Sequence, residues 1–512
     1  MGQLPSNRRR FSRLLGLLIL LVGLPVFGLR ASAAVEDWRT IVPGVTFREF
    51  VLPGPVHAYV ARMDITAADV ALESSIAGGS LAVGRETVSE MARRYSETLA
   101  SWGGTWGPRQ RVVVAVNGSS YVPESGDPYG GLVYDGWYAR RFGDLAGGSG
   151  LAWTQDRRAA IGGCVDHDEE RNIVRLPASG RQMSIDSINR EREDDGLLLF
   201  TPQYDGWTPE NNGDIEIVVE LPRPAGIVPL PRSVTGIVRE QRQGHGRTPI
   251  LFDQVVLTAR GPQAETLARA MARGDIVEIS QEITDLGGDC GSSPRLDWSN
   301  VYASIGGGFE FLARGEIHSS DDAGAAVHDP RTAFCLNDEH VDFVVVDGRQ
   351  EGYSVGMTLD ELAGFCRDDL GDTYGINQDG GGSSALWVDG AVVNRPSDGQ
   401  ERAVANGMMM VVMQPPARSS RFAPGFRVLV QQSDGFRMGP GLNYPARDDL
   451  RQGTMVELLP TQPMVRGVLA TGVYWWKALY DGEEGWVPET SLVSRLEAMA
   501  IFEIPGLPSD TP

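Results

Sequence analysis

The sequence predicts an α+β chain, with a large mixed-sheet domain followed by a small all-β barrel. For the first part, β-branched runs such as 111–116 and 342–346 recur between segments of helical spacing. Two helix starts also carry capping boxes, Thr87 with Glu90 and Thr358 with Glu361. For the second part, residues 426–495 alternate short strands, Asp-Gly turns and spaced tryptophans.

In chain order, alternating apolar residues predict strands over 35–79. A helix follows Thr87, with Val88, Met91, Ala92 and Tyr95 on one face. The strand 111–116 ends at Asn117-Gly118-Ser119-Ser120-Tyr121, and a polar residue at a buried strand end is a common ligand position. A hairpin is expected at 133–138. Residues 140–240 have few clear periods and read as loops and short strands decorating the main domain. Strand, helix, strand follow at 252–259, 264–272 and 275–279. The strand 301–305 runs into Gly306-Gly307-Gly308, and 309–317 predicts a strand pair. His318, His328 and His340 read as surface histidines. The strand 342–346 ends at Asp347-Gly348-Arg349, ahead of a helix reaching about Arg367.

The stretch 377–406 carries the chemistry. Asp379 precedes Gly380, Gly381, Gly382, Ser383 and Ser384. Three consecutive glycines cost backbone entropy and persist where φ > 0 or a close approach is needed. Their N–H groups can form an anion-binding concavity, with Asp379 at its rim. A short strand, the Asp389-Gly390 turn and a return strand then bring Asn394 and Arg395 back beside the loop.

The chain has 512 residues and a net charge of −21, from 67 acidic and 46 basic side chains. That balance argues against nucleic acid as a partner, because phosphate backbones need a positive face. Lys477 is the sole lysine. Arg8, Arg9, Arg10 and Arg13 precede an apolar run over 14–29 and the small residues Ala31-Ser32-Ala33. Residues 1–33 therefore read as a signal peptide cleaved near Ala33. A periplasmic or secreted protein is expected, in contact with the membrane only during export. Cys164, Cys290, Cys335 and Cys366 allow two disulfides, with 335–366 and 164–290 preferred. None has CxxC spacing, which argues against zinc.

Several motifs now stand in one order: Pro330-Arg331-Thr332-Ala333, Val346-Asp347-Gly348-Arg349, Tyr353 to Thr358, Asp379 to Ser384, Asn394-Arg395-Pro396-Ser397-Asp398-Gly399 and Glu401-Arg402. Together they resemble the phosphodiester glycosidase family, the N-acetylglucosamine-1-phosphodiester alpha-N-acetylglucosaminidase ("uncovering enzyme") domain, over roughly 85–415. Gln378 stands where that family usually has an apolar residue, and Ser119-Ser120-Tyr121 also departs from its pattern. The resemblance implies a phosphodiester glycosidase domain over 34–416 with an insertion at about 140–240. It implies a secreted hydrolase acting on a glycosyl phosphodiester in an envelope or extracellular glycan. Asp379 and Asp347 are the expected catalytic pair. Asn117, Gly118, Arg331, Arg349, Gly380, Gly381, Gly382, Ser383, Ser384, Asn394, Arg395 and Arg402 are the expected substrate-binding residues. No cofactor is required; clustered aspartates would allow Ca²⁺ without fixing a ligand set. The alternatives are a non-catalytic envelope glycan-binding protein and a phosphodiesterase cutting P–O rather than C–O.

A second resemblance rests on Gly435-Phe436-Arg437-Met438-Gly439-Pro440-Gly441, Gly453, Trp475-Trp476 and Gly485-Trp486-Val487-Pro488. Residues 426–495 resemble a bacterial SH3-like domain, which implies a cell-wall peptide partner or a purely structural cap. A linker is expected at 417–425 and a flexible tail at 496–512.

Overall fold

The computed structural model describes residues 37–502 apart from 97–98, 102–108, 135, 143–149, 163–164, 192–193, 211–214, 223–232, 245, 286–297, 414–418, 420, 443, 461–465 and 471–472. The expected signal peptide, the 164–290 disulfide and parts of the expected linker and tail lie outside the described residues. All the sheets belong to one compact unit, Trp38–Pro512.

Two facing sheets position the site. The first has eight strands in the order Arg39–Val42, Val45–Leu52, Val56–Asp64, His340–Val346, Arg331–Leu336, Tyr374–Asn377, Glu310–Ala313 and Glu316–Ile317. The second has five: Ala391–Val392, Leu386–Val388, Arg109–Asn117, Asn406–Met413 and Val70–Ile76. Tyr59, Phe334, Phe343, Val345 and Ile376 of the first share one buried cluster with Val114, Val116, Leu386, Met408 and Met410 of the second. Fully burying such a side chain contributes about 1.5–3 kcal/mol, so this shared core holds the sheets face to face. A smaller five-stranded sheet closes the same core with Leu151, Trp153, Ile161, Tyr302 and Ile305.

Local chemistry explains the connections. Asp389 (φ 44°) and Gly390 (φ 110°) turn Leu386–Val388 back into Ala391–Val392. The helix Val88–Ser96 begins at the Thr87–Glu90 box and buries Val88, Met91, Ala92 and Tyr95. At Thr358 the box is complete, and the helix Leu359–Gly364 passes into a π-turn, Phe365–Leu370. That turn carries Cys366 to its disulfide with Cys335 on the neighbouring strand.

The α+β expectation with a mixed sheet does not hold. Among the described residues the α-helices have only six to nine residues each. Among the described residues, strand pairing is antiparallel apart from Ser187–Ile188 beside Gly196–Phe200. The capping boxes do start helices, and each helix lies in a crossover between two strands that run the same way: Val70–Ile76 to Arg109–Asn117, and His340–Val346 to Tyr374–Asn377. An antiparallel strand, Asn406–Met413 or Arg331–Leu336, fills the gap each time, so the crossovers give no parallel pair. Residues 140–240, expected to be loops and short strands, supply most of another eight-stranded antiparallel sheet. Strands such as Ile215–Glu220 are buried on both faces and so show no alternation to read.

The small C-terminal barrel is corrected too. Its strands form a nine-stranded sheet that recruits Leu99–Ser101 from the main body through Val468–Ala470. Phe252 of the body packs with Val468, Trp475 and Trp486, and its N–H donates to Met438 O at 2.9 Å. Lys477 is buried between Asp253 (2.6 Å) and Glu484 (2.8 Å), which hold its ammonium charged despite burial.

Candidate active site

The site gathers where strand ends of the two facing sheets meet. Asp347 follows His340–Val346 and is 2% exposed. Asn394 Nδ2 donates to its Oδ1 at 2.9 Å, the Arg395 N–H to its Oδ2 at 2.8 Å, and Tyr353 OH to Oδ2 at 3.4 Å. Burial raises the Asp347 pKa, and these donors oppose the shift. No cation pairs with it among the described residues. Asp347 is thus a carboxylate held by uncharged donors.

Asp379 follows Tyr374–Asn377 and is only partly buried. Its N–H donates to Gly118 O at 3.0 Å, and Ser120 Oγ donates to its Oδ1 at 3.2 Å. Asn117, fully buried, links the two sheets at this point. Its Nδ2 donates to Asp379 O (2.7 Å), and its Oδ1 accepts from Ala385 N (3.1 Å) and Thr332 Oγ1 (2.9 Å). Thr332 Oγ1 also lies 3.1 Å from Ser384 Oγ, while Asn394 Nδ2 reaches Ser384 O at 3.1 Å. A continuous set of hydrogen bonds therefore joins Asp347, Asn394, Ser384, Thr332, Asn117 and Asp379. Stretches remote in sequence converge here.

The glycine loop is tightly built. Gly381 (φ 61°) opens a single 3₁₀ turn, and its N–H donates to Pro330 O at 2.9 Å. The N–H groups of Ser383 and Ser384 donate back to Gly380 O and Gly381 O. A Cβ on Gly381 would lie 3.1 Å from Arg349 Nη2, and one on Gly382 would clash with Arg402 and Asp398. A Cβ on Gly118 would meet Ile305 and Asn406. These glycines exist so that guanidinium groups and backbone can approach.

The four arginines differ in what holds them. Arg349, itself at φ 58°, makes a bidentate pair with Asp329 (2.7 and 2.8 Å). Arg402 pairs with Asp398 (2.7 Å). Arg331 is turned to the backbone, donating to Met357 O, Gly324 O and Val327 O at 2.6–2.8 Å. Arg395 is exposed and, among the described residues, meets no carboxylate; its Cζ lies 5.1 Å from the Tyr353 ring centroid. Asn117 and Asn394 are engaged in holding backbone and Asp347, so both act as struts.

Sequence reasoning passed over Thr332, Ser120, Tyr353, Tyr59 and Asp329. Tyr353 and Thr332 lay inside motifs already singled out; for Tyr59, nothing in its own strand marks it. His340, read as a surface residue, is buried at the other end of the Asp347 strand. There His340, Asp342 and Asp372 could bring a metal ion three ligand atoms within 4.8 Å of one another. Arg62, however, grips Asp342 at 2.6 and 2.8 Å and supplies the positive charge a cation would bring. That donor set does not fit a resident metal.

Residues 233–411 match the family model of phosphodiester glycosidases. The chain therefore carries a phosphodiester glycosidase domain, a hydrolase domain, and the match includes both aspartates, the glycine loop and all four arginines. No protein of curated function matches the chain. Among solved structures, a hypothetical protein from Synechocystis is similar at 18% identity over 74% of this chain, with a TM-score of 0.49. This chain spans 64% of that protein, less than two thirds of its length. A protein from Burkholderia pseudomallei K96243 described as exported is similar at 21% identity over 70% of this chain and 74% of its own (TM-score 0.48). The catalytic domain of zebrafish N-acetylglucosamine-1-phosphodiester alpha-N-acetylglucosaminidase, auto-inhibited by its pro-peptide, is similar at 14% identity over 75% of this chain and 85% of its own (TM-score 0.37).

Proposed function

We propose that this protein is an exported hydrolase that cleaves the bond between an anomeric carbon and a phosphate oxygen in an envelope or extracellular glycan. The observation that carries the reading is the pair of unlike carboxylates joined by one hydrogen-bonded set around the glycine loop. Asp379 is open to solvent with a single side-chain donor, Ser120; Asp347 is buried and saturated with donors. In a glycosyl phosphodiester the leaving group is a phosphate monoester, a weak base, so strong protonation is not required. Asp379 acts as nucleophile, or as base toward water, on the oxocarbenium-like centre. The C–O electron pair leaves with the phosphate, and the oxygen of water ends on the sugar. Arg395 and the N–H groups of Gly380 and Gly382, which the loop's own bonds do not use, receive the phosphate. Asp347 holds Asn394 and Arg395 in place.

Export is supported by the basic and apolar pattern of residues 1–33 and by the Cys335–Cys366 disulfide, a bond favoured in oxidising compartments. A peptide partner for residues 426–495 would need a surface that the body leaves uncovered. Asp379→Asn is expected to abolish release of sugar from a panel of glycosyl phosphodiesters, N-acetylglucosamine-1-phosphodiesters included, while the unfolding midpoint changes little. Turnover surviving in that variant would overturn the assignment. Hydrolysis in ¹⁸O-water is expected to place the label in the sugar; label in the phosphate would show P–O cleavage instead.

A further inference from the structure

Tyr353 touches more of the site than its sequence position suggests. Its ring lies parallel to the His57 imidazole, with centroids 4.1 Å apart and 20° between planes. Its hydroxyl is 2.6 Å from Tyr59 OH and 3.4 Å from Asp347 Oδ2. The Arg395 guanidinium stands over the same ring, 5.1 Å from the centroid. His57 is fixed in turn, with Nδ1 3.1 Å from Glu49 Oε1 and its backbone N–H donating to Ser354 Oγ at 3.0 Å. A ring has two faces. An imidazole packed parallel at 4.1 Å fills one, so the guanidinium takes the other.

This arrangement answers a problem that Arg395 presents. Arg331, Arg349 and Arg402 are each fixed by carbonyls or a carboxylate, whereas the Arg395 guanidinium meets no carboxylate among the described residues. An exposed arginine with no anchor spreads over many rotamers and loses entropy when it binds. The Tyr353 face restrains it by cation–π contact without neutralising its charge. Gln350 Nε2, donating to Arg395 O at 2.8 Å, and the Arg395 N–H on Asp347 hold the backbone beneath it.

We infer that Tyr353 is the positioning residue of the anion contact: backed by His57, it aims the Arg395 guanidinium at a phosphate bound beside the glycine loop. The inference rests on the hydrolase reading only in taking that phosphate to belong to the substrate.

The test uses the full chain, with one glycosyl phosphodiester as substrate and inorganic phosphate as inhibitor. Arg395→Ala is expected to raise both KM and the phosphate Ki by roughly 10–100-fold, the size of a lost charged hydrogen bond. Tyr353→Leu is expected to raise both by about 3–5-fold relative to Tyr353→Phe, as loss of an exposed cation–π contact implies; both variants lose the hydroxyl that meets Asp347, so any change in kcat is shared by the two. Tyr353→Phe, which keeps the ring, leaves the phosphate Ki near wild type. In the double variant Tyr353→Leu/Arg395→Ala, the loss equals that of Arg395→Ala alone, because the platform has nothing left to aim. Effects that multiply, or Tyr353→Leu and Tyr353→Phe sharing one KM and one Ki, would overturn the inference. Should Tyr353→Leu not fold, His57→Ala is read in its place, with a two- to threefold rise in Ki expected on the same grounds and no rise overturning it. If no phosphodiester is turned over, the hydrolase reading fails by itself. Phosphate affinity measured by calorimetry on the same variants then still decides the role of Tyr353, by the same pattern.

Discussion

The strand His340–Val346 carries a buried acid near its start and another just past its end, and the two are treated in opposite ways. Asp342 is fully buried opposite Arg62, its cross-strand neighbour, which grips it with two nitrogens. Asp372 and His340 complete that cluster, and burial pushes both acids up to about 7. Asp347 is buried as deeply, but its partners are an amide, a backbone N–H and a phenol. At one end a charge is cancelled by a charge, which ties strands together. At the other a carboxylate is held by neutral donors that themselves belong to the glycine-loop network. Burial and a raised pKa mark both ends, so neither identifies the site; partner type and the nearby open carboxylate do.

Substitutions at the two ends should separate these roles. Of the two ends, the larger effect on activity is expected for Asp347→Asn, which replaces a carboxylate with three donors by an amide that cannot accept from all of them. The kcat/KM should fall by about 100-fold or more, in line with loss of a preorganised electrostatic group, while the urea midpoint moves little. Equal losses of stability and activity would erase the distinction. Arg62→Ala should do the reverse. It leaves Asp342 buried without its cation and should lower stability by roughly 3 kcal/mol, moderated because Asp342 can take up a proton. Activity per folded molecule should persist, as measured by unfolding curves alongside kinetics.

The pH dependence gives a subtler contrast. Asp342 and Asp372 have folded-state pKa values raised to about 7, above the ~3.9 of an unfolded aspartate. Between about pH 4 and 7 the folded protein binds more protons than the unfolded chain, so this cluster's contribution is present at low pH and lost as pH rises. His340, lowered by burial, works in the opposite direction below its usual range. Asp372→Asn should therefore gain stability relative to wild type as pH is raised from 4 to 7, measured as the difference in Tm. A difference that stays flat would mean that Asp372 is ionised throughout. The smallest effect is expected for Arg402→Gln. Its pair with Asp398 is 42% and 38% exposed, so stability should change by less than about 1 kcal/mol. Its KM should rise less than that of Arg395→Ala, since Asp398 already neutralises it.

Much of the site was legible because its signals are local. Three glycines followed by two serines, an Asp-Gly turn and acids at strand ends are written in consecutive residues, and their chemistry does not depend on what lies across the fold. The Thr87 and Thr358 boxes likewise start helices where the spacing placed them. The wider architecture was harder to read. Ile215–Glu220 and Gly196–Phe200 lie between other strands of their sheet and are buried on nearly every residue, so period-two alternation vanishes and the insertion passed for loops. The helices suggested an α+β domain because capping reports where a helix begins and not how much of the fold it covers.

The amino-acid order by itself determined the candidate groups: two aspartates, together with a glycine loop and four arginines able to meet an anion. Only the tertiary structure decided which of them remain available. Arg331 is committed to carbonyls, Arg349 and Arg402 to carboxylates, and Asn117 to cross-linking sheets, while Arg395 alone of the four lies on an aromatic face. The physical reason is that a side chain's chemistry travels with its residue, but its partners come from other strands and loops, 47 residues away for Asp347 and Asn394 and 215 for Asn117 and Thr332. A charge is free or cancelled only once those strands have closed around it.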